Sequence, residues 1–423
     1  MAKPYSVLMG KAVRYLAQLR GGGSALPGLF VEKIDKRFVA DALASLPMGV
    51  VIVSGTNGKT TTTKMVVELL EGQGLHVFTN RTGSNFSRGV AAALLGEVNH
   101  RGKLDADIAV LELDEAHAVH FVTTVPPKYS LLLNVMRDQL DRFGEIDTTA
   151  QMLSRIAHAT SGTVVVNRED PRLRNLASGL PKSRVKYFGL DAKLRATFPN
   201  DDELHGAKVT NTVPVPTADV VLQSITPQAT FLFDKQAVAV SLKLQGVYNI
   251  FNAAAAITLT QAIMGDSFNQ ERLLKSLAEV TPAFGRGEKL LINGQPLELV
   301  LVKNPSGFRL SLSSFDPAGY ATMIAINDSY ADGRDMSWLW DVNFESLQQE
   351  GVAEVSGVRG YDMALRLQYD DVAITHIDTE ISRSLSHFIK NCDTKPKRIF
   401  CTYTAMLAIR RELSKYTDVE TIR

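Results

Sequence analysis

From Gly49 to about Asn167, short apolar runs alternate with amphipathic stretches: GVVIV, DIAVLEL, YSLLLN and TVVVN. Continuous apolar runs of this length suit strands buried on both faces, and helical segments between them make those strands parallel. The pattern therefore predicts an α/β sheet covered by helices on both sides. After Gly58, the residues Met65, Val66, Leu69 and Leu70 fall on one helical stripe, which Gly72 and Gly74 end. Between about 190 and 245 the period changes. The turn cluster Pro199-Asn200-Asp201 precedes ADVVLQS, ATFLF and AVAVSLKL, which predicts a β-rich antiparallel insertion in the same domain. An Ala-rich helix, IFNAAAAITLTQAI, follows it. Strand–helix alternation resumes in LELVLV, ATMIAIN, a basic helix from about Arg359 to Leu367, DVAIT, RIFCTY and a last helix from about Thr404. The expected organisation is an N-terminal segment over 1–48, a larger α/β domain over 49–289 and a smaller Rossmann-like α/β domain over 290–423.

At 423 residues the chain is long enough for two or three domains, each with its own core. Its 46 Lys and Arg against 45 Asp and Glu create no global field for a polyanion, so nucleic acid is not an expected partner. Only Cys392 and Cys401 are present, which excludes a disulfide framework and a four-Cys zinc site and fits a reducing cytoplasm. No run approaches the ~20 apolar residues of a membrane span, and no secretory leader is apparent, so neither export nor embedding is expected. The first forty residues carry Lys3, Lys11, Arg14, Arg20, Lys33, Lys36 and Arg37 against Glu32 and Asp35. That excess fits either a solvated helix face beside the joint Gly21-Gly22-Gly23-Ser24, or peripheral contact with the anionic inner face of a cell membrane.

The strongest chemical signal is Ser54-Gly55-Thr56-Asn57-Gly58-Lys59-Thr60-Thr61, which follows the strand GVVIV and opens a helix. In that setting the N–H groups of a Gly-rich turn and of the helix N-terminus converge on phosphate oxygens. Lys59 adds a point charge for the β- and γ-phosphates, and a Thr hydroxyl is a magnesium ligand. The position five before Gly58 is Val53 rather than Gly, and GTNGKT in this shortened form resembles the Mur ligase superfamily of ATP-dependent amide-forming enzymes.

Other residues extend the resemblance. Asp114-Glu115-Ala116-His117 follows the strand DIAVLEL where these ligases place a magnesium-binding Glu; Glu115 is the first candidate and Glu112 the second. Asn134 to Asp141 is similar to N-x-x-x-D-H-x-D, with Gln139 replacing the metal-binding His, and Asn167-Arg168-Glu169-Asp170 matches N-x-D/E-D. Ser154 stands where several Mur ligases carry a carbamylated Lys, so that device is expected to be absent. Gly246 to Ala253 is close to G-x-H-N-x-x-N-A with Tyr248 for His, and Asn249 and Asn252, three apart on one helix face, suit an adenine edge. Phe284-Gly285-Arg286-Gly287-Glu288 matches the G-R-x-E linker, in which Arg286 would reach the γ-phosphate.

About fifty residues precede the phosphate turn, too few for the domain with which nucleotide-pathway Mur ligases grip UDP. Val300-Leu301-Val302-Lys303-Asn304-Pro305 stands in place of a D-Y-A-H-N-P-like segment, gaining Lys303, which suits an acyl phosphate. The stretch Asn327 to Asp341, with TGSNFSRG, RDQLDRFGE, VKNPSGF, GVRGYDMALRLQY and YTAM, resembles the MurT family, synthetase subunits of lipid II isoglutaminyl synthases. That resemblance implies ATP-dependent amidation of the α-carboxyl of D-glutamate in the lipid II stem peptide to D-isoglutamine, through an acyl phosphate, in peptidoglycan synthesis. It also implies a heterodimer with a GatD-type glutamine amidotransferase, which supplies ammonia because Cys392 and Cys401 lie in no glutaminase motif. Asp335, with Asp332 as the second choice, would orient the partner's His and complete a triad. The implied cofactors are ATP and Mg2+. Zinc is expected to be absent, since the Cys ribbon of some relatives cannot form. The alternatives are another Mur-like amino-acid ligase, such as folylpolyglutamate synthase, and a nucleotide-gated scaffold without catalysis.

Overall fold

The computed structural model describes residues 3–19, 26–80, 87–138, 146–204, 214–244, 246–281, 286–392 and 394–419. The chain divides into two compact units, one comprising Met1–Met136, Ile146–Leu244 and Asn249–Thr281, the other Arg137–Glu145, Gln245–Tyr248 and Pro282–Arg423.

The first unit is built on a nine-stranded sheet. Its strands in chain order are β1 (Val50–Ser54), β2 (Val77–Thr79), β3 (Ile108–Glu112), β4 (Tyr129–Leu132), β5 (Thr163–Asn167), β6 (Val185–Leu190), β7 (Val220–Ser224), β8 (Ala229–Phe233) and β9 (Gln236–Val240), and they lie in the order β2-β3-β1-β4-β5-β6-β7-β8-β9. β1 lies inside the sheet, between β3 and β4, and is buried at every position, as the unbroken run VVIVS requires of a strand covered on both faces. The helix Lys59–Gly72 follows it, and Met65, Val66, Leu69 and Leu70 are all buried, as their spacing predicts.

The β-rich stretch differs from the sequence expectation. β7 pairs parallel with β6, and only β8 and β9 run antiparallel. Connection length explains the difference. The segment from 191 to 219 is long enough to cross over and return parallel, whereas Asp234 and Lys235, with φ of 49° and 63°, make a two-residue hairpin turn. The stretch therefore continues the main sheet instead of forming a separate insertion. Residues before 49 are not a separate body either. Val7, Val31, Phe38, Ala42 and Leu43 share one core with Val50, Ile52, Ala109 and Leu111. Gly28 admits this packing, since a Cβ there would lie 2.0 Å from the Arg88 carbonyl oxygen.

The Ala-rich helix spans Val247–Met264. The stretch Val247–Ser267 is long and apolar enough to cross a membrane on length and composition alone, which corrects the expectation that no run approaches that size. Every residue from Phe251 to Thr260 is buried, and a helix apolar all round is accounted for by a protein interior.

The second unit contains β10 (Arg286–Ile292), β11 (Gln295–Leu301), β12 (Ala321–Ala325), β13 (Val352–Ser356), β14 (Ile374–Asp378) and β15 (Lys397–Cys401), ordered β10-β11-β15-β12-β13-β14. All pairs are parallel except β10 with β11, which Asn293-Gly294 joins in a tight turn with φ of 52° and 77°. A boundary at 289 thus falls inside β10, which belongs wholly to the second sheet. β14 begins later than DVAIT implies, because Asp371, with φ of 54°, is spent ending the helix Gly360–Tyr369; Val372 N–H bonds the Leu367 carbonyl at 3.0 Å.

Candidate active site

Parallel strands open their carboxyl ends onto one rim, and in the first unit the chemistry collects there. β1 ends at Ser54, whose hydroxyl donates to the Leu113 carbonyl at 3.0 Å, and the chain turns through Gly55 (φ 130°) and Gly58 (φ 87°) into the helix Lys59–Gly72. Both glycines are held closely. A Cβ on Gly55 would lie 3.0 Å from Asn134 N, and one on Gly58 would lie 2.6 Å from Asn252 Nδ2. Asn252, 8% exposed, therefore has its amide against the phosphate turn, and Asn249 lies one turn earlier on the same helix.

The segment after β4 braces the turn. Thr56 N–H donates to the Asn134 carbonyl at 3.1 Å, and Thr56 Oγ1 accepts from Met136 N–H at 3.0 Å. Asn134 and Asn57 exchange two bonds: Asn57 N–H donates to Asn134 Oδ1 at 2.9 Å, and Asn134 Nδ2 donates to the Asn57 carbonyl at 3.0 Å. Asp170 anchors this brace, accepting Val135 N–H at 2.6 Å while its other oxygen caps the helix Pro171–Ser178 through Arg172 and Leu173 N–H. Burial pushes the Asp170 carboxyl up to about 6, with the three backbone donors opposing the shift.

Lys59 is almost fully buried. Its ammonium donates to the Gly55 carbonyl at 2.6 Å and lies 3.3 Å from both oxygens of Glu115, itself 1% exposed at the first position of the helix Glu115–Thr124. Thr60 Oγ1 donates to Glu112 Oε1 at 2.8 Å. The two acids singled out in the sequence thus take different partners: Glu115 faces Lys59, and Glu112 faces Thr60. Asn80, at the end of β2, holds Glu112 from both sides, donating to its carbonyl at 2.9 Å and accepting its N–H at 3.0 Å. Sequence spacing missed Asn80; the rule that strand ends converge at one rim was the available signal.

These residues fit a polyphosphate with a hard cation. Two left-handed glycines keep the turn free of side chains, a buried ammonium stands at its back, and the buried Thr61 hydroxyl has no hydrogen-bond partner among the described residues. Thr60, Glu112 and Glu115 supply oxygen donors suited to Mg2+. Arg286 opens β10 in the second unit; its side chain, Gln139, Asp141, Phe284, Gly285 and most of TGSNFSRG lie outside the described residues. Ser154 sits within the helix Ile146–Ala159, where its carbonyl and hydroxyl approach His158 Nδ1 at 2.8 and 3.4 Å.

A second rim lies at the carboxyl end of the second sheet. Lys303 follows β11, ahead of Asn304, whose side chain caps the helix Pro305–Ser314 by accepting Gly307 N–H at 2.7 Å. Asn327 follows β12, with Thr402 Oγ1 accepting its N–H at 2.9 Å and Thr404 Oγ1 accepting from its Nδ2 at 3.1 Å. Asp332, 2% exposed, accepts Thr404 N–H at 2.7 Å and the Thr404 hydroxyl, and burial raises its carboxyl pKa. Asp335 is half-buried; its Oδ1 accepts Ser337 N–H at 2.9 Å, ahead of the buried Trp338. Asp332 is thus committed to holding the fold, while Asp335 reaches the surface. Cys401 lies fully buried in β15, where burial pushes its thiol up and disfavours the thiolate, while Cys392 is half-buried.

Residues 53–260 match the Mur ligase middle domain, and residues 301–406 match the MurT ligase C-terminal domain. The MurT subunit of a glutamine-hydrolysing lipid II isoglutaminyl synthase from Streptococcus pneumoniae is 31% identical, over 96% of each chain. The subunit of the same description from Staphylococcus aureus is 27% identical, over 83% of this chain and 84% of that one. Among solved structures, a MurF ligase from Thermotoga maritima in complex with ADP superposes with a TM-score of 0.67 at 17% identity, covering 91% of this chain and 84% of that one. FolC from E. coli gives 0.62 at 13% identity, over 89% and 92%. At these identities the two superpositions bear on the fold alone.

Proposed function

The chain belongs to the MurT family of Mur-type ligases, and on that premise we propose that it amidates the α-carboxyl of D-glutamate in the lipid II stem peptide, giving D-isoglutamine. The observation that carries the reading is the similarity over 96% of both chains to the Streptococcus pneumoniae subunit.

The chemistry explains the two rims. A carboxylate is a poor electrophile; ATP with Mg2+ would supply the γ-phosphoryl group and leave as ADP, and ammonia attacking the resulting acyl phosphate would displace inorganic phosphate and lose a proton. Lys59 and the N–H groups of the turn bind and orient the phosphates, Asn252 and Asn249 complete the nucleotide site, and Thr60, Glu112 and Glu115 hold the cation. Arg286 and Lys303 neutralise charge on the transferred group. Ammonia comes from a GatD-type glutamine amidotransferase. The relatives are described as subunits, which supports a nitrogen source on another polypeptide. Asp335 orients the partner's His.

The test is reconstitution: the chain with a GatD-type partner, lipid II, ATP, Mg2+ and glutamine should yield amidated lipid II by mass spectrometry. Transfer of a whole amino acid by the chain alone would overturn the reading in favour of a folylpolyglutamate synthase-like ligase.

We also place the chain at the inner face of the cell membrane. Tyr5, Leu8, Met9, Tyr15 and Leu16 form an exposed apolar stripe along the helix Pro4–Leu19. The chain should co-sediment with anionic phospholipid vesicles, and Leu8→Ser with Leu16→Ser should release it; equal sedimentation of both proteins would remove the stripe from the account.

A further inference from the structure

On the second sheet, Glu354 of β13 and His376 of β14 are register partners, so both side chains rise from the same face. The helix Ile381–Asn391 covers that face, turning Ile381, Leu385, Phe388 and Ile389 into the core and placing Ser384 and His387, one turn apart, over Glu354. His376 Nδ1 stands 2.7 Å from Glu354 Oε1, and His387 Nδ1 stands 2.9 Å from Oε2. The imidazole centroids are 4.1 Å apart at an interplanar angle of 31°. Ser384 Oγ donates to Oε1 at 2.8 Å and fixes the carboxylate plane. The carboxylate is 1% exposed, while the two imidazoles are 40% and 41% exposed.

We propose that Glu354, His376 and His387 form a zinc site. Two imidazole nitrogens and one carboxylate oxygen on three separate elements are a suitable donor set for this cation, with solvent at the fourth position. The ligand atoms already lie within 4.8 Å of one another. A tetrahedral zinc with bonds of about 2.0–2.2 Å holds its donors roughly 3.3 Å apart, so the nitrogen–oxygen spacings of 2.7 and 2.9 Å, which run to different oxygens of Glu354, widen by about half an ångström while one ring shifts towards the oxygen that the other already faces. The half-exposed rings can supply that movement. Each neutral imidazole offers its Nδ1 lone pair by carrying its proton on Nε2, an exchange that solvent mediates because both rings reach water. Ser384 supports the carboxylate from outside the ligand set. The bound ion would staple β13, β14 and the helix Ile381–Asn391 together. The expectation of no zinc rests on the missing four-Cys ribbon and does not weigh this donor set.

The test uses the full chain, stripped with a chelator and titrated with zinc chloride against a competing colorimetric chelator. One zinc per chain should bind and raise the Tm. His376→Ala and His387→Ala should each weaken binding by at least about 100-fold and abolish the Tm rise, since even supporting residues around metal sites cost 10–100-fold. Ser384→Ala, which keeps all three ligands, should weaken binding about 10-fold. Circular dichroism checks that each variant folds. Absence of stoichiometric zinc would overturn the proposal, leaving a hydrogen-bonded carboxylate, as would unchanged binding in the double His variant. Neither result bears on the ligase reading.

Discussion

Asp335→Asn should leave the nucleotide affinity of the chain unchanged and lower glutamine hydrolysis by the complex about 10⁴-fold, the usual cost of giving a triad imidazole the wrong orienting partner. The substitution is nearly isosteric, and an Asn Oδ1 can still accept the Ser337 N–H that Asp335 Oδ1 takes at 2.9 Å, so the loop keeps its shape. Amidation driven by added ammonium salt should survive, because the synthetase half does not use the triad. Glutamine hydrolysis and ammonia-driven amidation, measured side by side, therefore separate a triad role from a general loss of activity. Equal loss in both assays would assign Asp335 to the fold of the second unit. Asp332→Asn provides the contrast. It disturbs a buried carboxylate that accepts both the N–H and the hydroxyl of Thr404, so it should lower the Tm and both activities together.

Lys59→Ala should abolish amidation from either nitrogen source, by at least about 100-fold, because one preorganised charge at a transferred phosphoryl group carries that much. It also breaks a pair whose side chains are 4% and 1% exposed, leaving the Glu115 carboxylate buried without its partner at a cost of about 3–5 kcal/mol. Loss of activity could therefore follow from loss of fold. Lys59→Ala with Glu115→Gln separates fold from chemistry, since it removes the orphaned charge, and Glu115→Gln alone measures what losing that cation ligand costs in turnover. The double variant should recover most of the Tm and none of the turnover, read by thermal melts and by titration of a fluorescent ATP analogue. Recovered nucleotide binding together with recovered amidation would dismiss Lys59 from phosphate contact.

The phosphate turn was legible in the sequence because its signal is local: a buried strand, two glycines and a helix within a dozen residues. The placement of Glu112 and Glu115 beside that turn was legible for the same reason, as acids following the next strand in the sheet. Their division of labour was not, since it depends on how the end of β3 and the start of the helix Glu115–Thr124 stand against Thr60 and Lys59. Nor could spacing separate Asp332 from Asp335, because the buried Asp332 is held by Thr404, 72 residues away in sequence. The Glu354–His376–His387 cluster is invisible for a related reason. Its members lie on two strands and a helix, and only strand register and helix phase bring them together. The parallel course of β7 was hidden by its alternating pattern, which reads equally well in either direction once a long connection precedes it.

The brace behind the phosphate turn makes distant backbone amides share one fate. Thr56 and Asn57 donate to Asn134, Met136 donates back to Thr56, and Val135 between them is tied to Asp170. Opening any one of these amides to solvent loosens its neighbours, so they should exchange their hydrogens as one cooperative unit in a hydrogen-exchange measurement. A lesion at Asp170 would then unlatch a loop it never touches, weakening the grip on nucleotide while every residue that contacts the phosphates stays intact.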